Sequence, residues 1–212
     1  MNPTQDNKDF VLGVVILAAG ASQRMGRPKL LLPWGETTVV GHLIRQWQQA
    51  AAKQIAVVCA AGDSGLEAEL DRVGCDAKNR VRNPNPERGM FGSIQCAARW
   101  PDWRTDLTHW MLVLGDQPHL RLDSLLLLVE YAARNPRRIV QPIHGGRPRH
   151  PVCLPRAYYM QLAHTTAQTL KDHLKNQHLA LDYCAVDDPG LDLDLDSPAD
   201  YQKAVELYFH DA

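Results

Sequence analysis

Residues 11–19, VLGVVILAA, run through nine positions without one charged or hydrogen-bonding side chain. The stretch is rich in β-branched residues and does not alternate with polar ones, so it reads as a strand buried on both faces. A strand of that kind needs helices on either side of its sheet. The rest of the chain supplies them. QIAVVCA at 54–60, the start of HWMLVLGDQP at 109–118, RRIVQPI and LALDYCAV repeat the strand pattern, with NRVRN as a short further strand and another after HGGRPRHPVCLP. Between them, Val39, Val40, Leu43, Ile44 and Trp47 recur at helical spacing, with Thr37 or Thr38 as N-cap. Further helices are read in GLEAELDRV, from near Gly92, in LRLDSLLLLVEYAARN with Asp123 or Ser124 as cap, at 156–163 and 168–176, and in SPADYQKAVELYF with Pro198 in its first turn. Strands alternating with helices predict a three-layer α/β/α, Rossmann-like domain with a mostly parallel sheet.

Composition bounds the partners. The length, 212 residues, suits one domain, taken over 1–212 with 1–9 as a disordered tail. The net charge of −1 excludes a general nucleic-acid coat, so any anion site has to be local. Five cysteines, an odd number without CxxC spacing, argue against a disulfide framework or a zinc site and for reduced thiols in a cytoplasm. Cys59 is read as core, and His42 as packing or surface rather than a ligand. The polar start MNPTQDNKDF does not resemble a signal peptide, and no apolar run reaches membrane-spanning length.

The first strand runs straight into LAAGASQRMGRPK, residues 17–29. Five residues separate Gly20 from Gly26, and Lys29 is not followed by Ser or Thr, so this is neither a P-loop nor a GxGxxG turn. Small residues (Ala18, Ala19, Gly20, Ala21, Ser22) let backbone N–H groups approach an anion closely. Arg24 offers phosphate a planar fork and Lys29 a movable point charge. A solvated turn is the alternative. In a parallel sheet, ligands bind beyond the carboxyl ends of the strands, so 18–29, 115–119 and 192–200 are expected at one edge.

LAAGASQRMGRPKLLLPWG resembles the signature of the MobA-like nucleotidyltransferases of molybdenum-cofactor biosynthesis, in particular the cytidylyltransferase branch. The guanylyltransferases usually carry Ala-Gly-Gly where this chain has Ala18-Ala19-Gly20. NPNPERGMFGSIQCA, LGDQP and DLDLDSPADY extend the likeness from about residue 11 to 203. It implies a nucleotide-diphosphosugar transferase fold and transfer of CMP from CTP, with Mg²⁺, to the phosphate of molybdopterin. It also implies roles. Leu17, Ala18, Ala19 and Gly20 would hold base and ribose, Arg24 and Lys29 the triphosphate, with Ser22, Gly26, Asn83 and Ser93 near the nucleotide. Arg24, Lys29 and Asp116 would be catalytic.

Asp116 ends a buried strand, where a carboxylate is costly unless it is paired or bound to a metal. Mg²⁺ takes one or two protein carboxylates plus phosphate oxygens and water. The alternative is a helix cap after residue 118. Asp192, Asp194 and Asp196 stand two apart, so an extended segment would put all three on one face. The resemblance favours Asp196 as the second ligand, with Asp194 next; Asp196 or Ser197 capping the helix at Pro198 is the competing reading.

Arg149 stands where the family usually has the glycine of Gly-His-Pro, before His150. Arg149 and His150 are candidates for the acceptor, with a basic surface turn as the alternative. HTTAQTLKDHLKNQHLA at 164–180 lacks the family's Gly-Asp-Gly-Ala segment, which keeps other acceptors open. A sugar-phosphate transferase, a guanylyltransferase and a non-catalytic nucleotide-binding maturation partner of a molybdoenzyme are the remaining readings. A molybdoenzyme or its chaperone is the expected protein partner, with no nucleic acid and no membrane.

Overall fold

The structure, a computed structural model, describes residues 10–20, 25–177 and 180–209. The expected tail 1–9, Ser22 and Arg24 lie outside them. Ten strands and seven helices follow in order: β1 (Leu12–Leu17), β2 (Pro33–Trp34), β3 (Thr37–Thr38), α1 (Val39–Gln49), β4 (Gln54–Ala60), α2 (Ser64–Arg72), β5 (Arg80–Asn83), α3 (Gly89–Arg99), β6 (His109–Leu114), α4 (Leu122–Arg134), β7 (Ile139–His144), β8 (Arg147–Pro148), β9 (Val152–Pro155), α5 (Arg156–Gln161), α6 (Leu170–Asn176), β10 (Leu181–Ala185) and α7 (Pro198–Phe209). The main sheet has the order β10-β7-β9-β6-β1-β4-β5, with β8 beside β7. β1 pairs in parallel with β4 and β6, β4 with β5, and β7 with β10. β9 is inserted antiparallel between β6 and β7. This is the expected mostly parallel, Rossmann-like α/β/α arrangement.

Every residue of β1 is buried, as its unbroken apolar run requires. Val14 and Ile16 face one helical layer with Leu43 and Trp47 of α1 and Leu128 of α4; Val15 and Leu17 face the other with Ile94 of α3 and Tyr159 of α5. Period two in the strand and two apolar helix layers give the three-layer sandwich. Thr38 caps α1, its hydroxyl accepting the Gly41 N–H. His42 packs between Trp34 and Tyr208, and burial pushes its pKa down to about 4, which suits a packing role. All five cysteines are free thiols, and Cys59 is buried. Among the described residues no helix is long and apolar enough to cross a membrane.

One cap differs from the sequence expectation. Neither Asp123 nor Ser124 caps α4; the N-cap position is Arg121, whose N–H donates to the Asp188 carboxylate at 3.0 Å. The acceptor comes from a distant turn. Asp188 also accepts the Gly190 N–H at 2.9 Å, so one buried carboxylate ties the start of α4 to the segment before α7.

Candidate active site

Register brings the strand ends together. Leu17 of β1 is level with Val58 of β4 and with Leu114 of β6. Just beyond, the Gly115 N–H donates to the Leu17 carbonyl at 3.1 Å. A Cβ on Gly115 would stand 2.6 Å from that oxygen and 3.0 Å from Leu30, so the chain can pass here only without a side chain. The turn Leu17–Gly20 and the segment Leu114–Asp116 thus form two walls of one cavity. Lys29, Leu30, Ser93 and the first turn of α3 complete it. That helix begins at Gly89 with φ of +75° in the residue itself and no side-chain cap, so its first N–H groups border the cavity without a protein acceptor from the cap residue.

Of the residues expected around a nucleotide, Leu17, Ala18, Ala19, Gly20, Lys29, Ser93 and Asp116 line this cavity. Gly26 is exposed at φ of +68° and does not. Asn83 does not line it either. It is buried behind Ser93, donating to that hydroxyl at 3.0 Å and accepting the Asn85 N–H at 2.9 Å. Asn83 therefore orients Ser93 and the turn into α3. Pro86, Gly89 and Met90 line the cavity and were not singled out from the sequence. Their signal was the two prolines and the glycine between a short strand and a helix.

The charged centre joins all three polar stretches. Lys29 Nζ lies 2.6 Å from Asp116 Oδ2 and 3.8 Å from Asp196 Oδ1. The Leu195 N–H donates to the Asp116 carbonyl at 3.1 Å, and Gln117 Nε2 donates to Asp194 Oδ1 at 3.0 Å. Asp116 does not cap α4, which starts at Arg121 without a side-chain cap and is tied there to Asp188. The helix at Pro198 has its own device. Ser197 Oγ accepts the Asp200 N–H at 3.3 Å while the Asp200 carboxylate accepts the Ser197 N–H at 3.0 Å.

The expected face of Asp192, Asp194 and Asp196 does not form. Pro189–Asp192 coil into a 3-10 turn, which breaks the period of two and sends Asp192 to Arg149, whose Nε donates to it at 2.6 Å. Asp116 takes its place: burial first, and then the negative charge of Asp116, hold the Asp194 carboxyl above the usual carboxylate range, with Asp196 adding to it and Gln117 and Lys29 opposing. Among the described residues no set of three His, Cys, Asp or Glu side chains forms a metal cluster. Asp194, the alternative to Asp196 as second ligand, is engaged by Gln117, which leaves Asp116 and Asp196 as the pair beside the Lys29 ammonium. Among the described residues, the carboxylates of Asp116, Asp194 and Asp196 gather around the single ammonium of Lys29. Two hard oxygen donors beside a cavity fit a divalent cation that completes its shell with phosphate and water.

The raised Asp194 pKa has a stability consequence. A carboxyl that resists ionisation in the folded state weakens folding as the pH rises through the carboxylate range. Asp194→Asn, whose amide oxygen can still accept from Gln117, should melt higher than wild type at pH 7 in EDTA. The gap should close as the pH falls below that range. Thermal melts across pH check this, and a gap independent of pH would assign the effect to packing.

A second cavity, of about 720 Å³, adjoins the first at Met90, which lines both. Arg147, Arg149, Lys171 and Lys175 surround it, with Leu170, Leu174, Leu181 and Tyr183 as its apolar floor. Arg149 is held there by Asp192. His150, half-buried, also lines it, with burial pushing its pKa down. Lys171 and Lys175 come from the segment where the sequence departs from the family pattern. The volume is within the range of small-molecule sites, and its charge suits an anion.

The family model described as MobA-like NTP transferase domain matches residues 14–181. The molybdenum cofactor cytidylyltransferase of Escherichia coli (strain K12) is 29% identical over 92% of this chain and 95% of that protein. A Bacillus mycoides protein described as a probable molybdenum cofactor guanylyltransferase is 23% identical over 81% of this chain and 80% of its own. Among solved structures, Rv0371c from Mycobacterium tuberculosis H37Rv superposes with a TM-score of 0.75 at 28% identity, covering 93% of this chain and 98% of that one. A structure of Rv0371c in complex with manganese matches with a TM-score of 0.68 at 25% identity over the same shares.

Proposed function

Because this chain belongs to the MobA-like NTP transferase family, a family of nucleotidyltransferases, we propose that it transfers CMP from CTP to the phosphate of molybdopterin and releases pyrophosphate. The observation that carries this reading is the contact of two cavities at Met90. One is walled by small residues and holds Lys29 and Asp116; the other is ringed by four cations. A nucleotide in the first would present its α-phosphate towards an anionic acceptor in the second. Both cavities belong to one sheet, and the chain is taken as one domain working in a reducing cytoplasm, where five free thiols persist. The product would pass to a molybdoenzyme or its chaperone.

In this mechanism an acceptor phosphate oxygen bonds to the α-phosphorus in line, the α–β anhydride bond breaks, and pyrophosphate leaves with the bonding electrons. The attacker is already an anion, so the protein need not take a proton. What remains is positioning and charge. Leu17, Ala18, Ala19 and Gly20 would hold the base and ribose by backbone. Ser93, oriented by Asn83, would bind beside them. Lys29, with Arg24 and Ser22 from the loop outside the described residues, would meet the charge growing on pyrophosphate. Asp116 and Asp196 would hold Mg²⁺, which when bound offsets negative charge at the α-phosphate. Arg147, Arg149 and Lys171 would bind and orient the acceptor, with His150 neutral at the rim.

The methyl of Ala19, where the guanylyltransferases usually carry glycine, would narrow the base end of the nucleotide cavity and favour a pyrimidine. A methyl-sized change is worth roughly 10–200-fold, so CTP should be preferred rather than other bases excluded. The test is pyrophosphate release with each of four nucleoside triphosphates against molybdopterin and against a panel of sugar 1-phosphates. CTP with molybdopterin should give the highest kcat/KM. A higher value with GTP would make the chain a guanylyltransferase, a higher value with a sugar phosphate would replace the acceptor, and no release with any pair would leave only a nucleotide-binding role.

A further inference from the structure

Lys29 holds two positions at once. It lines the nucleotide cavity, and its ammonium stands against the two carboxylates assigned above to the metal, 2.6 Å from Asp116 and 3.8 Å from Asp196. We infer that Lys29 is the resident counter-ion of this carboxylate pair, so that metal and ammonium exclude each other there and the metal binds tightly only once a nucleotide draws Lys29 away. This rests on the reading of Asp116 and Asp196 as the metal pair and goes beyond it to the order and coupling of binding.

The argument is electrostatic. The lysine side chain is 16% exposed and that of Asp116 20%, so their attraction is only partly screened by water. A divalent cation placed between the same oxygens would face a positive charge at contact distance. Without nucleotide, the ammonium has its best acceptors in the carboxylates it already touches. A triphosphate changes both sides of the balance. Its oxygens give Lys29 a new partner within the same cavity, and they complete the shell of the metal.

The backbone is suited to such an exchange. Lys29 opens a 3-10 turn closed by the Leu31 N–H to the Pro28 carbonyl at 3.1 Å and the Leu32 N–H to the Lys29 carbonyl at 3.2 Å. Leu30 is buried beside Gly115. The Cα of Lys29 is therefore fixed while its four-carbon stem swings, a property that separates lysine from arginine. Linkage makes the coupling reciprocal: nucleotide tightens metal to the same degree as metal tightens nucleotide.

The test is Mn²⁺ titration followed by the electron paramagnetic resonance signal of the free ion, with and without α,β-methylene CTP, after subtraction of the Mn²⁺ held by the analogue alone. Wild-type protein should bind Mn²⁺ weakly by itself and tightly with the analogue. Lys29→Met should bind Mn²⁺ without analogue about tenfold or more tightly than wild type, a gain of about 1.4 kcal/mol, and should tighten less when the analogue is added. Arg27→Met removes a nearby exposed charge and should stay near wild type. Unchanged or weaker binding by Lys29→Met, or an equal gain in Arg27→Met, overturns the inference. Asp116→Asn should lose the Mn²⁺ site with analogue present. If it does not, the carboxylate assignment itself has failed, an outcome distinct from failure of the lysine exchange alone.

Discussion

Asp116→Asn should lose about a hundredfold or more in kcat at saturating Mg²⁺ while its melting temperature stays within a few degrees of wild type. The asparagine keeps the shape and the hydrogen-bonding reach of aspartate and lacks the charge. In a partly dehydrated site a lost ligand charge costs several kcal/mol of transition-state stabilisation, about 3 kcal/mol for a hundredfold. The backbone at 116 is held independently of its side chain, since the Gly115 N–H bonds to the Leu17 carbonyl and the Asp116 carbonyl accepts from Leu195. Two side-chain effects on stability oppose each other. Lys29 loses its nearest anion, and Asp194 loses the neighbouring charge that disfavours its ionised form. A capping role predicts unchanged activity, because asparagine caps well, but α4 starts at Arg121 without a side-chain cap from Asp116. Steady-state kinetics beside a melt in EDTA decide the matter; a near-normal kcat ends the metal assignment.

Lys29→Ala should lower kcat/KM for the nucleotide by about a hundredfold, through a higher KM and a lower kcat together. Charge on the leaving pyrophosphate grows in the transition state, so the lysine contributes more there than to ground-state binding. Because Lys29 and Asp116 touch, their losses should not add. The double variant should fall short of the product of the two single effects, as residues in one charged network do. Wild-type kinetics in a soluble Lys29→Ala protein would remove the residue from the site. Full additivity would mean that the 2.6 Å pair plays no part in the working enzyme.

What could be read from the sequence was local. β1 and β4 declared themselves because a strand buried on both faces must be apolar at every position, and α1 because Thr38 sits one residue before its apolar stripe. The meeting of 18–29, 115–119 and 192–200 followed from the rule that parallel strands end at one edge. Partners chosen across the fold were not legible. Nothing near residue 121 signals that Asp188, sixty-odd positions on, accepts the Arg121 N–H at the start of α4. The alternating aspartates suggested an extended run, and the proline and glycine at 189 and 190 were the unheeded sign of the turn that gave Asp192 to Arg149. Asn83 was placed near the nucleotide on the strength of its motif, whereas a buried amide bonded to Ser93 acts one shell further out. Lys171 and Lys175 were not legible because the cavity they line takes its walls from β7, β8, α6 and β10, a grouping that no local pattern encodes.

The two adjoining cavities divide the chain by position. Apart from Met90, every residue around the larger cavity falls between 141 and 183, and every residue around the smaller one falls between 17 and 116. On the proposed reading, the nucleotide and acceptor halves of the site thus fall in separate stretches of the chain, with Asp196 of the charged centre beyond both. On that reading the later stretch can be rewritten, by drift or by grafting, with the earlier one left intact: a new acceptor would require changes to β8, α6 and β10 and none to the walls of the smaller cavity. Met90 is the junction such a graft has to respect.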